Sequence, residues 1–155
     1  MPIESPTWRF RSALFKIIPK EDEATNPFCY GLSLAQWLKG RFTALGYDVE
    51  EVIAEDWGWC VMLARRPFML WIGCGNDSSA FDGLGPEQQQ ALMAQGDDLE
   101  WSCFVATDVP VWTGFFWRRL VGRASTDAQV QVAAQQLEQV LSREPGIRML
   151  QGGPP

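Results

Sequence analysis

The sequence contains no histidine. Histidine is the commonest general base and a frequent metal ligand, so its absence excludes Ser-His-Asp triads, Cys-His nucleophiles and histidine metal sites. A close C-x-x-C pair, of the kind that structural zinc sites contain, is also missing. The chain has four cysteines, Cys29, Cys60, Cys74 and Cys103. We therefore expect no metal and no cofactor, and we expect all four thiols to be free.

Long apolar runs are missing as well. No stretch approaches the roughly 18 apolar residues of a membrane-spanning helix. The opening MPIESPTWRF has no basic stretch followed by an apolar one, as a signal peptide would. The stretch Gly73-Cys74-Gly75-Asn76 lacks the Gly-Lys-Ser/Thr ending of a phosphate loop. These features predict a cytoplasmic protein that keeps its thiols reduced.

The composition is that of a globular protein. Its 155 residues suit a single domain over 1–155, with 151–155 expected as a frayed tail. The hydrophobic fraction is 46%, and eight tryptophans stand against two tyrosines. Large rings bury much area each, so the tryptophans should dominate the core or a binding surface.

The charge is negative and unevenly placed. The formal net charge is −6, which argues against nucleic acid as a partner. Residues 55–108, the acidic middle, contain two arginines and nine acids: Glu55, Asp56, Asp77, Asp82, Glu87, Asp97, Asp98, Glu100 and Asp108. A basic protein could be steered to this region. The alternative is a solvated acidic surface that only aids solubility.

The periodicity predicts an α+β fold, an antiparallel sheet of about five to six strands with two main helices packed on one face. Helix signals are Ser33 as N-cap with Gly46 as C′ residue, a short helix over 86–95, and Ser125 or Thr126 capping a helix to about Arg143. Strands are expected at 8–18, 48–53, 57–64, 68–73, 100–107 and 147–150. A hairpin joins 57–64 to 68–73, and 73–85 is expected to be a loop.

The most distinctive segment is Glu55-Asp56-Trp57-Gly58-Trp59. Strand alternation predicts Trp57 and Trp59 on one face, with Gly58 leaving the other face bare. The carboxylates could hold a cation beside an aromatic platform, with Asp77 as a further binding candidate. Alternatively the acids close a turn and both tryptophans fill the core. We favour the structural role for the tryptophans.

The E-D-W-G-W segment resembles a group of small bacterial proteins that share it after a helix and a short strand. The resemblance covers roughly residues 30–75 and implies no mechanism. By size and charge, the chain is also similar to antitoxin or immunity proteins.

A second candidate surface is the stretch 112–123, which mixes aromatic rings with arginines. Its candidate binding residues are Trp112, Trp117, Arg118 and Arg119. It could lie on a membrane surface, contact a partner, or pack over the core.

The first hypothesis for the function is a non-enzymatic interaction protein, immunity- or inhibitor-like, with a basic partner. The second is a small-ligand binder or carboxylate enzyme at Glu55, Asp56, Trp57 and Trp59, and the third is a membrane-surface protein. The oligomeric state stays open.

Overall fold

A computed structural model describes residues 3–66, 68–94, 99–108 and 122–150. The strands are β1 (Ile3–Glu4), β2 (Trp8–Ser12), β3 (Ile53–Glu55), β4 (Gly58–Ala64), β5 (Met69–Asn76), β6 (Glu100–Asp108) and β7 (Ile147–Met149). The helices are α1 (Leu32–Ala44), α2 (Pro86–Ala94) and α3 (Gly122–Ser142). Two short 3-10 helices, Glu21–Glu23 and Ser78–Phe81, lie in the connections. The tail 151–155 lies outside the described residues.

The strands form one antiparallel sheet in the order β3-β4-β5-β6-β2-β7, and β1 also pairs with β6. Since β1 and β2 pair with successive parts of β6, they lie end to end along it. The predicted α+β class with an antiparallel sheet is confirmed. No helix in the described ranges has the length and apolar character needed to cross a membrane.

The strand register divides the sheet into two faces. On the first face, Val61 pairs with Ile72, which pairs with Val105. On the second face, Cys60 pairs with Gly73, which pairs with Phe104. The first face and the buried stripes of α1 and α3 belong to one hydrophobic cluster, to which the helices contribute Leu34, Leu38, Phe42, Val130, Leu137 and Leu141.

Helix α1 begins without a cap of its own. The prediction of Ser33 as N-cap is wrong, because Ser33 lies inside the helix and Gly31 is the N-cap residue. The carboxylate of Glu21 takes the role instead. Its Oε1 accepts hydrogen bonds from the backbone N–H groups of Gly31 (2.6 Å) and Leu32 (3.1 Å). Its Oε2 accepts one from Ile18 (2.8 Å). The carboxylate of Glu21 thus accepts hydrogen bonds from N–H groups at the start of the helix that have no partner within it. Its negative charge also interacts favourably with the positive end of the helix dipole.

The end of α1 follows the prediction. Gly46 has φ +100°, as a C′ residue needs. The N–H of Tyr47 donates to the carbonyl of Phe42 (3.1 Å) and that of Gly46 to Thr43 (3.0 Å), which is the Schellman pattern. The rings of Phe42 and Tyr47 pack with their centroids 5.4 Å apart.

Several predicted boundaries are wrong. Strand β2 stops at Ser12, whose Oγ donates to the carbonyl of Gly146 (2.6 Å) and accepts from the N–H of Leu14 (3.1 Å). The expected strand over 48–53 is instead β3, starting at Ile53. Strand β5 runs through 73–76, where a loop was expected, because β6 pairs with it along that length. Helix α3 already contains Ser125 and Thr126, so neither caps it.

Candidate functional site: an aromatic groove on the second face

A tight turn separates the two tryptophans of the distinctive segment. Glu55 pairs with Gly58, so Asp56 and Trp57 form the turn between β3 and β4. Gly58 has φ +156°, and a Cβ there would collide with the carbonyl oxygen of Cys74. Glycine therefore lets the turn press against β5, as the bare position expected in the sequence implies.

The prediction that Trp57 and Trp59 share a face is wrong. Trp59 lies within β4, is 8% exposed and belongs to the hydrophobic cluster of the first face. Trp57 precedes the strand, is 41% exposed and packs against Trp71 and Phe104 of the second face. The alternation fails because the turn, not the strand, sets the direction of Trp57. The structural role is thus supported for Trp59, and Trp57 becomes the binding candidate.

Trp57, Trp71 and Phe104 form a continuous aromatic platform. The ring centroids of Trp57 and Trp71 are 5.8 Å apart at 28°, and those of Trp57 and Phe104 are 5.8 Å apart at 45°. Trp71 and Phe104 meet edge to face at 5.6 Å. These are ordinary separations for rings in direct contact. The three rings therefore support one another, and the outer side of Trp57 stays in solvent.

Gly73 makes room for the platform on β5. A Cβ at Gly73 would lie 2.5 Å from the Phe104 ring and 3.0 Å from the Trp57 ring. A Cβ at Gly75 would lie 3.3 Å from the carbonyl oxygen of Trp57. Because Gly73 and Gly75 have no side chains, this face of β5 is open, and the aromatic rings pack directly against the strand backbone.

A groove of about 410 Å³ runs beside the platform. This volume is within the range of small-ligand and side-chain pockets, about 300–1,000 Å³. Its walls combine aromatic rings, strand backbone and small polar groups. They are Glu4, Trp57, Trp71, Cys74, Gly75, Asn76, Ser102 and Phe104.

Negative charge predominates around this groove. Glu4 lines it, and Glu55 at the end of β3 and Asp56 in the turn that carries Trp57 are both exposed. No salt bridge found among the described residues involves any of these three carboxylates. The nearby guanidinium of Arg9 is paired with Glu100, whose hydrogen bond and charge raise the pKa of Arg9. Within the described ranges, these three carboxylates therefore have no cationic partner.

Asp77, another predicted site residue, is not among the described residues that line the groove. Asp77 is the N-cap of the second 3-10 helix, where its Oδ1 accepts from the N–H (3.1 Å) and hydroxyl (2.5 Å) of Ser79. Its carboxylate is thus occupied by a structural role. The other four candidates lie outside the described residues: Trp112, Trp117, Arg118 and Arg119.

The thiols give no sign of a reactive centre. Cys74 and Cys103 are register partners, both buried on the first face. Burial raises the pKa of Cys60 to about 12 and that of Cys74 well above its ordinary value, so both stay protonated at neutral pH. In the part of the chain with described positions, no three Cys, Asp or Glu side chains lie close enough to hold a metal ion.

A smaller groove of about 190 Å³ lies between α1 and α3, and two of its charged groups, Arg41 and Glu144, are already paired with each other. Arg41 Nη2 is 3.2 Å from Glu144 Oε2, and the guanidinium lies 5.1 Å from the ring centroid of Trp37. This groove therefore offers an incoming ligand less than the aromatic groove does.

The sequence reasoning missed Trp71, Phe104 and Glu4. Their spacing along the chain gives no hint that they meet, because three strand pairings bring them together. The available signal was Trp71 followed by glycines at 73 and 75, a large ring and bare positions on one strand face. Comparison with protein-family models, curated proteins and solved structures finds no match.

Proposed function

We propose that this protein is a non-enzymatic interaction module that binds a basic protein partner at the aromatic groove, in the manner of an immunity or inhibitor protein. The observation that carries the proposal is the position of Trp57. This tryptophan is 41% exposed although its ring packs against Trp71 and Phe104. Tryptophan is among the residues most enriched at the energetic centres of protein interfaces.

The charge around the groove favours a basic partner. Glu4, Glu55 and Asp56 are three of the 19 acidic residues that give the protein its net charge of −6. Complementary charge steers a partner to its site and raises the association rate. A need for solubility would explain the negative net charge. It would not require carboxylates close to the exposed ring of Trp57.

The enzyme hypothesis loses its expected geometry. It needed Glu55 or Asp56 beside both Trp57 and Trp59, and Trp59 lies on the other face. Both residues are exposed to solvent, Glu55 at the end of β3 and Asp56 in the turn. Acid–base catalysis by a carboxyl group depends on a sheltered site that shifts its proton affinity. A small-ligand binder remains the second candidate, because the groove volume of about 410 Å³ suits one.

We place this module in the cytoplasm, where reducing conditions would keep its thiols free. Cys29, Cys60, Cys74 and Cys103 are free cysteines in the structure, which supports the proposal. Thiol counting on protein taken directly from the native host tests the placement, and fewer than four free thiols would argue against it.

Binding kinetics with charge-reversed variants test the function. A basic partner is captured from the native host at low salt, identified and purified. Its association is then measured with the wild type, with Glu55→Lys/Asp56→Lys, and with Asp82→Lys/Glu87→Lys. The control pair changes the net charge equally at exposed acids that are neither next to Trp57 in the chain nor among the described residues that line the groove.

The groove variant should associate about tenfold more slowly or worse at low salt, with a difference that shrinks as salt screens the charges. The control variant should be affected much less. Equal effects of both variants would mean that Glu55 and Asp56 act only through the overall negative charge of the protein and not at a specific site. Failure to capture a basic protein at low salt would count against the proposal and favour the small-ligand reading.

A further inference from the structure

We infer that the groove recognises an arginine side chain of its partner, laid flat on the exposed side of Trp57 with its donors directed to the neighbouring carboxylates. This inference rests on the proposed function and names the chemical group that the groove selects. It makes the site specific for arginine over lysine, which a merely acidic surface would not be.

The ring geometry favours stacking over enclosure. A cage for a methylated ammonium needs space between its aromatic walls, but the three rings here touch, with centroids 5.6–5.8 Å apart. The open surface is therefore the outer side of Trp57, which is 41% exposed. A flat surface of this kind suits a planar guanidinium, which stacks on aromatic faces, better than a compact, strongly hydrated ammonium.

The polar groups fit the same ligand. Arginine carries five N–H donors in a fixed plane and no acceptor, so it needs several oxygen acceptors around the ring. Glu4 lines the groove, and the exposed residues Glu55 and Asp56 immediately precede Trp57 in the chain. Carboxylates can accept two parallel hydrogen bonds from one guanidinium. The groove and the adjoining turn thus supply a stacking surface together with acceptors that form no salt bridge to any described residue.

The same combination already exists within this chain. The guanidinium of Arg41 lies 5.1 Å from the ring centroid of Trp37 and pairs with Glu144 at 3.2 Å. There the arginine, the tryptophan and the carboxylate all belong to one molecule. At the aromatic groove the tryptophan and carboxylates are present, and the described residues supply no arginine to Glu4, Glu55 or Asp56.

Two labelled peptides of equal length and charge provide the test, one with arginines and one with lysines, both spaced by glycine and serine. Affinities are measured by fluorescence anisotropy. The wild type should bind the arginine peptide about fivefold more tightly than the lysine peptide. Trp57→Ala should remove this preference, and Trp57→Phe should retain part of it. Leu45→Ala, which removes an exposed apolar side chain elsewhere, should leave the preference unchanged.

The outcomes separate this inference from the proposed function. Equal affinity for both peptides, weakened by Glu55→Lys/Asp56→Lys, would overturn arginine selectivity and leave a basic partner in place. No binding of either peptide would contradict both. An arginine preference that survives Trp57→Ala would overturn the inference. A dimer that dissociates on Trp57→Ala would show that a second copy of the chain occupies the groove, and this would overturn the inference. Tighter peptide binding by Arg118→Ala/Arg119→Ala would show that the chain's own arginines occupy the groove, and this would overturn the inference as well.

Discussion

At the scale of single residues, Trp57 and Trp59 should differ sharply in their contribution to stability. Trp59→Ala empties a buried site and should lower the free energy of unfolding by about 3–5 kcal/mol. Trp57→Ala removes a partly exposed ring and should cost about 1–2 kcal/mol, because only ring contacts and partial burial are lost. Urea denaturation of the two variants measures the difference. Equal losses would contradict the assignment of the two rings to different environments.

The glycines of the chain offer a second contrast. Gly58→Ala places a Cβ against the carbonyl of Cys74 at φ +156°, so the variant should lose about 2–3 kcal/mol or more. Gly40 lies in α1 with nothing within 4 Å of an added Cβ, so Gly40→Ala should raise the free energy of unfolding by about 0.5–1 kcal/mol. Thermal unfolding of the two variants measures both changes in stability. A neutral Gly58→Ala would mean that the turn does not press on β5.

The cysteines should react in order of burial. Burial raises the pKa of Cys60 to about 12, so almost none of it is thiolate at pH 8. Cys29 is less buried and should react first with a thiol reagent, while the other three wait for unfolding. Since the folded state favours the protonated Cys60, its contribution to stability is complete below pH 9.0, the ordinary pKa, and is lost as the pH rises towards about 12. Rapid reaction of all four thiols in the native protein would refute this order.

At the scale of elements, helix α1 should depend on a residue that precedes it by eleven positions. Glu21→Ala leaves buried N–H groups of Ile18, Gly31 and Leu32 without their acceptor and should cost about 2–4 kcal/mol. Glu21→Gln keeps one acceptor and should cost less. The control Glu23→Ala removes an exposed carboxylate 3.9 Å from Lys20 and should change little. A neutral Glu21→Ala, measured by chemical denaturation, would show that water caps the helix equally well.

The elements also show how far local sequence signals reach. The Schellman end at Gly46, the short helix from Pro86 and the hairpin between β4 and β5 all followed from neighbouring residues, and all are confirmed. The start of α1 did not, because its cap comes from Glu21 rather than from Ser33 nearby. The extent of β5 also depended on pairing with β6, which the local glycines concealed. The sequence predicts the end of a helix or strand where residues nearby in the chain determine it. Where a residue distant in the chain determines the end, the local sequence does not reveal it.

At the scale of the whole molecule, the candidate site was only half predictable. The sequence singled out Trp57 with Glu55 and Asp56, since such a segment is unusual in itself. Trp71 and Phe104 could not be added, because their contact with Trp57 depends on the register of β4, β5 and β6 together. The role of Trp57 was likewise reassigned, because a turn that alternation does not reveal places it on the second face while Trp59 stays in the core. A site built across strands needs the register before its members can be named.

The central claim is that the groove beside Trp57 is where the protein meets a basic partner. The most direct measurement follows the tryptophan indole N–H signals by NMR while the arginine peptide is added, with the Trp57 signal assigned from its loss in Trp57→Phe. The indole nitrogens of Trp59 and Trp101 are buried without a partner in the described part of the chain, so their signals serve as internal references. The Trp57 signal should move in proportion to binding while those of Trp59 and Trp101 stay fixed. Binding that leaves the Trp57 signal in place would contradict the account.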